Sequence, residues 1–322
     1  WVEMTDSVVL VTGATGFVGR RVVRALHDRG AKVRCLVHTP GREGVLASLD
    51  VECVHGSVSD GESLRPAMLG VQAVVHLVAV IREKGRSTFE SVNVQGAQNV
   101  ALAAKEAGVR HIVHVSAIGA RDDRRFAYLH SKWRGEQAVM QSGVPYTVIR
   151  PSLQFGEGDE FFNVLAALVM LMPAVPMPGM GRARFQPIAV EDVARCVAQA
   201  VDSAALFGQV VEIGGPQRFT YKEMIGVVAR TLGRRRAYLP VPVPLLRLQV
   251  WLMERVLPRP PITTKQLQSL PIDNVAELDT VERVFGFQPR PLAGNIDYVR
   301  NVSYGDALRI FLGAMPGSIR DH

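Results

Sequence analysis

Residues Val8–Gly19 read VVLVTGATGFVG, an apolar run of strand length that breaks into three glycines three residues apart. A helix-period stretch, Phe17–Arg29, follows and is stopped by Gly30 in the usual C-cap place. Gly13 permits a tight turn, Gly16 lets a ligand approach the backbone, and Gly19 lets the helix pack close to the sheet. The start of that helix offers free N–H groups and a positive dipole, a seat for a pyrophosphate. Thr15, Phe17 and Val18 complete the candidate loop.

The rhythm continues to residue 151. Strands are expected at Lys32–His38, Val51–His55, Ala73–Val80, Ile112–Ser116 and Tyr146–Arg150. Helices are expected at Leu64–Leu69, Phe89–Ala107 and Tyr128–Ser142, each closed by a glycine. Ala73–Val80 is almost continuously apolar, as a strand buried on both faces of a parallel sheet should be. The pattern predicts the α/β class, a Rossmann-type doubly wound parallel sheet, followed by a smaller, mostly helical C-terminal lobe. Later elements are a helix at Glu191–Asp202, a strand at Val210–Gly214, and helices at Tyr221–Leu232, Leu245–Val256 and Tyr304–Leu312.

Composition narrows the function. With 322 residues, 48% hydrophobic and 21% charged, the chain has enough apolar surface for a large core and a prior near two domains. Cys35, Cys53 and Cys196 lie far apart, which argues against a disulfide framework or a cysteine zinc site and for a reducing compartment. No metal site is expected. The net charge of +7 comes from 37 basic and 30 acidic residues, and 31 of the basic residues are arginine. They read as scattered, with one run at Arg234–Arg236, and no nucleic-acid partner is expected. The first apolar run is short, so no secretory leader is expected. Phe161–Gly181 is uncharged, but its second half is crowded with proline and glycine. A membrane span there is improbable, and Phe161–Met172 reads as a buried or surface-docking helix.

Two further patterns bear on chemistry. No acid stands between Gly30 and Arg42, where an NAD-selective site places one for the ribose 2′-hydroxyl. His38 and Arg42, with Arg34 a further candidate, suit a 2′-phosphate, so NADP(H) is favoured and NAD(H) is the alternative. Tyr128 and Lys132 form a YxxxK on one helix face. An ammonium beside a phenol favours the phenolate, so this pair is expected to lower the Tyr128 pKa and to exchange a proton with a carbonyl or alcohol. Lys132 is also a candidate to hold the nicotinamide ribose, and Ser116 to polarise the carbonyl.

TGATGFVG, VVHLVAV, NVQGAQNVALAA, HVSAIGA, YLHSK, VIRPSLQFG, PIAVEDVA and VVEIGGP, in this order, resemble the extended and atypical short-chain dehydrogenase/reductases, the NAD-dependent epimerase/dehydratase-like group. The likeness runs from Val8 to about Pro216, and more loosely to about residue 298. It is greatest to the subgroup similar to the Rossmann-fold accessory subunit of respiratory complex I, with NmrA-like proteins more distant. The resemblance implies cofactor contacts at Gly13, Thr15, Gly16, Phe17, Gly19 and His38. It adds Ser57 and Val58 at the adenine, Leu77, Val78 and Ala79 under the cofactor, Asn93, and Pro151, Ser152 and Leu153 at the carboxamide. Ser116, Tyr128 and Lys132 match the catalytic triad, with only eleven residues between serine and tyrosine, fewer than is typical.

The family layout implies a Rossmann domain at 1–153 completed by 185–215, and a substrate or partner lobe at 154–184 and 216–322. In that lobe Phe155, Phe161, Phe162, Leu165, Met170, Met172, Met177, Met180, Leu245, Leu248, Trp251 and Leu252 are core or an apolar pocket. Arg182, Arg184 and Arg247 are surface arginines or phosphate contacts. Three functions stay open: an NADP(H)-dependent oxidoreductase acting on an apolar small molecule, a non-catalytic accessory subunit of a respiratory membrane assembly, and an NmrA-like redox sensor. The expected location is cytoplasmic or peripheral at the inner face of a membrane.

Overall fold

The computed structural model describes residues 7–178, 183–257, 262–269, 272–314 and 316, so Met180 and Arg182 lie outside the described residues. The first half follows the expected alternation. Strand β1 (Val8–Thr12) leads to α1 (Gly19–His27), β2 (Lys32–Val37), β3 (Glu52–His55), α2 (Gly61–Met68) and β4 (Val71–His76). A π-helix at Phe89–Val94 runs into α3 (Gln95–Glu106), then β5 (His111–Val115), α4 (Ala127–Met140) and β6 (Tyr146–Pro151). Next come β7 (Gln154–Phe155), α5 (Phe161–Leu171), β8 (Ala174–Pro178), β9 (Arg184–Phe185) and β10 (Ile188–Ala189). Helix α6 (Val190–Val201) and β11 (Gln209–Ile213) precede β12 (Phe219–Thr220), α7 (Tyr221–Thr231) and β13 (Ala237–Val241). The chain closes with α8 (Val243–Val256), α9 (Thr264–Ser269), α10 (Thr280–Phe285) and α11 (Tyr304–Phe311).

Two compact units result: 1–151 with 190–213 and 283–286, and 152–189 with 214–282 and 287–322. The first holds a seven-stranded sheet in the order β11-β6-β5-β4-β1-β2-β3, with every neighbouring pair parallel. Chain direction across the sheet reverses between β1 and β4, the switch point where doubly wound sheets bind ligands at their carboxyl ends. Val9, Leu10 and Val11 have no exposed surface, as a strand covered on both faces requires.

Two expectations change in detail. β4 ends at His76 rather than running on to Val80. Leu77 N–H donates to the Thr12 carbonyl at 3.3 Å, and the Asn93 amide then grips both Val80 N–H (2.8 Å) and Val80 carbonyl (3.1 Å). A side chain thus takes the place of a strand partner at Val80. The helix expected at Phe89–Ala107 starts as a π-turn, behind a capping box in which Thr88 and Ser91 bond each other's backbone. Cys35 and Cys53, far apart in sequence, are register partners on β2 and β3, and both are free thiols.

The second unit packs around α5. That helix is apolar on almost every side, and Phe162, Leu165, Ala166 and Val169 sink into a core with Phe155, Met224, Val228, Ile296 and Ile310. Phe155, Phe162, Leu165 and Met177 are therefore core residues, and Phe161 and Met170 pack against them. Asp159 secures the helix start: its carboxylate accepts Phe162 N–H at 2.6 Å and the Tyr298 hydroxyl.

In the first unit α4 is tied down by charge. Glu136 is fully buried and receives both Arg150 Nε (2.8 Å) and Nη2 (2.7 Å) from β6. Removing one partner of such a pair strands the other. Arg150→Ala is expected to lose about 3–5 kcal/mol in denaturant unfolding, and the apolar pair Arg150→Met with Glu136→Met is expected to recover most of it.

Candidate functional site

The glycine loop is built by contact. Gly13 has φ +74°, and a Cβ there would meet Val78 Cγ2 at 3.2 Å. A Cβ on Gly19 would lie 2.0 Å from the Gly13 carbonyl oxygen and 2.8 Å from Ala14. The third glycine is therefore required by the turn itself, more directly than by helix–sheet packing. Gly16 N–H closes the turn on the Gly13 carbonyl at 3.0 Å. No side chain caps α1 and no acid sits in its first turn, while the N–H groups of Arg20 and Arg21 bond the carbonyls of Gly16 (3.2 Å) and Val18 (3.1 Å). Thr15, Phe17 and Val18 line this turn half-buried, and the Arg21 guanidinium lies 4.9 Å over the Phe17 ring.

His38 and Arg42 follow the end of β2 and both are exposed. Arg34, the further candidate, is spent: Nε bonds Glu52 at 2.7 Å and Nη1 bonds the carbonyls of Ala67 (3.0 Å) and Leu69 (2.6 Å). The turn after β3 is rigid. Ser57 N–H donates to Ser63 Oγ at 2.9 Å, and buried Val58 has its carbonyl held by Asn99 at 2.8 Å. Leu77, Val78 and Ala79 sit half-buried past β4, with Val78 against Gly13. Pro151 ends β6 and its carbonyl accepts Ile118 N–H at 3.1 Å. Ser152 and Leu153 belong to the second unit, where the Ser152 hydroxyl donates to the Gln186 carbonyl and Leu153 N–H to Asn274 Oδ1 at 2.7 Å.

Ser116 directly follows β5. It is 6% exposed, and its hydroxyl has no hydrogen-bond partner among the described residues. Lys132, 3% exposed, donates to the Val115 carbonyl at 2.8 Å, which brings the ammonium beside the Ser116 backbone. Tyr128 lies one turn earlier on α4, its ring 5.9 Å from Phe89. The expected lowering of the tyrosine pKa is reversed: burial pushes the phenol up to about 12. Burial also pulls Lys132 down to about 8, with Glu136 acting the other way. Burial is what sets the direction at the phenol. Asn93 links the two sides, donating to both Val80 carbonyl and Ser131 Oγ at 2.9 Å.

Sequence reasoning missed a polar row beneath this site. Thr12, His76 and His114 are register partners on β1, β4 and β5. Thr12 Oγ1 and His76 Nδ1 share a hydrogen bond of 2.7 Å, and the imidazoles stack at 5.2 Å. His76 Nε2 and both His114 nitrogens have no partner among the described residues. Burial and the Lys132 charge pull His76 down to about 3 and His114 well below its ordinary value. The available signal was a polar residue near the C-terminal end of each of three apolar-rich strands.

A model described as the NmrA-like family matches residues 5–290. Subunit 9 of the alpha subcomplex of mitochondrial NADH dehydrogenase (ubiquinone) from Rattus norvegicus is 30% identical over 301 residues, covering 90% of this chain and 78% of that protein. Ceramide reductase from Caulobacter vibrioides is 31% identical over 239 residues, covering 74% of each. The NADPH-dependent quinone oxidoreductase of Escherichia coli, solved with NADPH, superposes with a TM-score of 0.74 at 20% identity, over 90% of this chain and 99% of that one, a likeness of fold.

The buried imidazoles set a pH dependence. Below about pH 6.5 the unfolded chain takes up protons that the folded histidines refuse, so stability falls as pH falls. Each histidine contributes a slope of about 1.4 kcal/mol per pH unit in that range. Urea titrations from pH 7 to pH 5 are expected to show a shallower loss for His76→Phe than for the unaltered chain; parallel curves would contradict the assignment.

Proposed function

The chain belongs to the NmrA-like family, and from that footing we propose that it is an NADP(H)-dependent reductase of an apolar carbonyl compound. The observation that carries this reading is the buried Ser116 hydroxyl, unpartnered among the described residues, beside Lys132 at the carboxyl end of the sheet that also bears the glycine loop. The residues fit a nicotinamide dinucleotide. Gly13–Gly19 makes a cradle that side chains would fill, α1 has no side-chain cap, and no acid opposes a 2′-phosphate between Gly30 and Arg42. The cofactor supplies the hydride.

The protein's part is then binding and proton delivery. Ser116 donates to the carbonyl oxygen and polarises it. Tyr128, protonated at neutral pH because burial holds its phenol near 12, is a general acid in the state that reduction needs. Lys132, fixed by Val115, offers its remaining donors to the ribose. Leu77–Ala79 would form the wall beneath the cofactor, Ser57 and Val58 would border the adenine, and Pro151 would lie on the carboxamide side. The ceramide reductase relative supports a lipid-like substrate class.

A second reading has its own support. The complex I subunit relative spans 90% of this chain, which favours a cofactor-binding accessory subunit on the cytoplasmic face of a membrane. Turnover separates the two. Tyr128→Phe is expected to lower kcat by about 10²-fold or more while leaving NADPH affinity unchanged. Unchanged turnover of a genuine carbonyl substrate would overturn the catalytic reading.

Cofactor choice is tested by titration. NADPH is expected to bind more tightly than NADH, and Arg42→Ala to weaken NADPH by about tenfold or more, the size of a lost charge-assisted hydrogen bond. NADH binding tenfold tighter would reverse the preference.

A further inference from the structure

The basic residues are spread along the chain, but one segment is nearly free of acids. Between residues 224 and 272 stand eight basic residues (Arg230, Arg234, Arg235, Arg236, Arg247, Arg255, Arg259 and Lys265) and one acid, Glu254. That net of +7 equals the net charge of the whole chain, and the other residues hold 29 basic and 29 acidic side chains. At the centre of the segment is α8, a helix with two apolar faces. One face packs inward: Val250 is 1% exposed, and Val243, Leu246 and Met253 are half-buried beside it. The opposite face carries Leu245, Leu248, Leu252 and Val256, each at least half exposed. Trp251 stands at its edge, with the Arg255 guanidinium 3.7 Å over the ring. Arg247 is exposed, whereas Glu254 turns to α9 and accepts Thr264 N–H (3.0 Å) and Oγ1 (2.9 Å). The outward charges of α8 are therefore all positive.

We propose that the outer face of α8, with its arginines, is a docking surface for an anionic lipid leaflet. The helix lies in the headgroup plane, with its leucines in the acyl boundary. Among the described residues no helix is long and apolar enough to cross a membrane, and the proposed contact is interfacial. Leucine and tryptophan flanked by arginine are what such an interface takes: apolar area for depth, an aromatic at the headgroup level, cations for the phosphates. A second copy of the chain is a poor occupant, because self-association through this face would bring the exposed Arg247 and Arg255 of two copies together. The inference rests on the membrane-side reading above for its partner, and is independent of whether the first unit turns over a substrate.

The test is flotation of the full chain with vesicles of phosphatidylcholine alone or mixed with phosphatidylglycerol. Binding is expected only to the mixed vesicles and is expected to fall as salt is raised. Arg247→Gln with Arg255→Gln is expected to lower partitioning by about 25-fold, about fivefold per arginine. Leu248→Asp with Leu252→Asp is expected to abolish binding, with melting temperature and NADPH affinity unchanged because these side chains point outward. Equal binding to neutral vesicles, no flotation, or flotation unaffected by the leucine variant would overturn the proposal. So would a concentration-dependent dimer that the leucine variant dissolves in place of vesicle binding. Loss of vesicle binding with recovery in a membrane complex intact would remove the lipid surface and leave the accessory-subunit reading standing.

Discussion

Lys132 is an ammonium with almost no access to water, and the arrangement of the first unit follows from the need to satisfy it. Its relief is the Val115 carbonyl at the end of β5. One turn further along the same helix, Glu136 is a buried carboxylate whose relief is Arg150 on β6. Two opposite charges, four residues apart, thus dock α4 onto two adjacent strands. Sliding or rotating the helix would leave one of them buried and unpaired, at a cost of several kcal/mol. Gly135, between them in the same turn, has no room for a side chain: a Cβ would stand 2.5 Å from the Asn93 carbonyl. The helix can therefore come close enough for Asn93 to bond Ser131 while it also grips Val80. Tyr128 is placed by this docking, one turn upstream.

The same charge orders its surroundings. His76 and His114 lie within its field and away from water, and both effects keep the imidazoles neutral. The phenol is governed by a different balance. At Tyr128 burial raises the pKa, and the proton stays on. The lysine ammonium and the unpartnered serine hydroxyl lie together at the end of β5, with the protonated phenol one turn away on α4.

The second unit shows how one composition can have two fates. Helices α5 and α8 are both rich in leucine, valine and methionine on more than one side. Helix α5 is enclosed, because neighbours from α7, the segment near Ile296 and α11 surround it. Helix α8 finds a partner for one face only, and its other face coincides with the segment that holds the entire net charge of the chain. Neither helix by itself contains that difference; it depends on which elements arrive alongside.

The glycine turn, the alternation of strands and helices, and the helix stops were legible because they are local. A tight turn needs Gly13, a strand covered on both faces needs an unbroken apolar run, and a helix end favours glycine, each within a dozen residues. The pairing of Tyr128 with Lys132 on one face was legible for the same reason. What lay beyond the sequence was set by partners distant along the chain. The end of β4 at His76 depends on Thr12 and Asn93, the use of Arg34 on Glu52, and the direction of the Tyr128 shift on the burial of its ring. Spacing determined which groups this protein would bring to the end of the sheet. Tertiary burial decided their protonation states, because desolvation is a property of everything packed around a group.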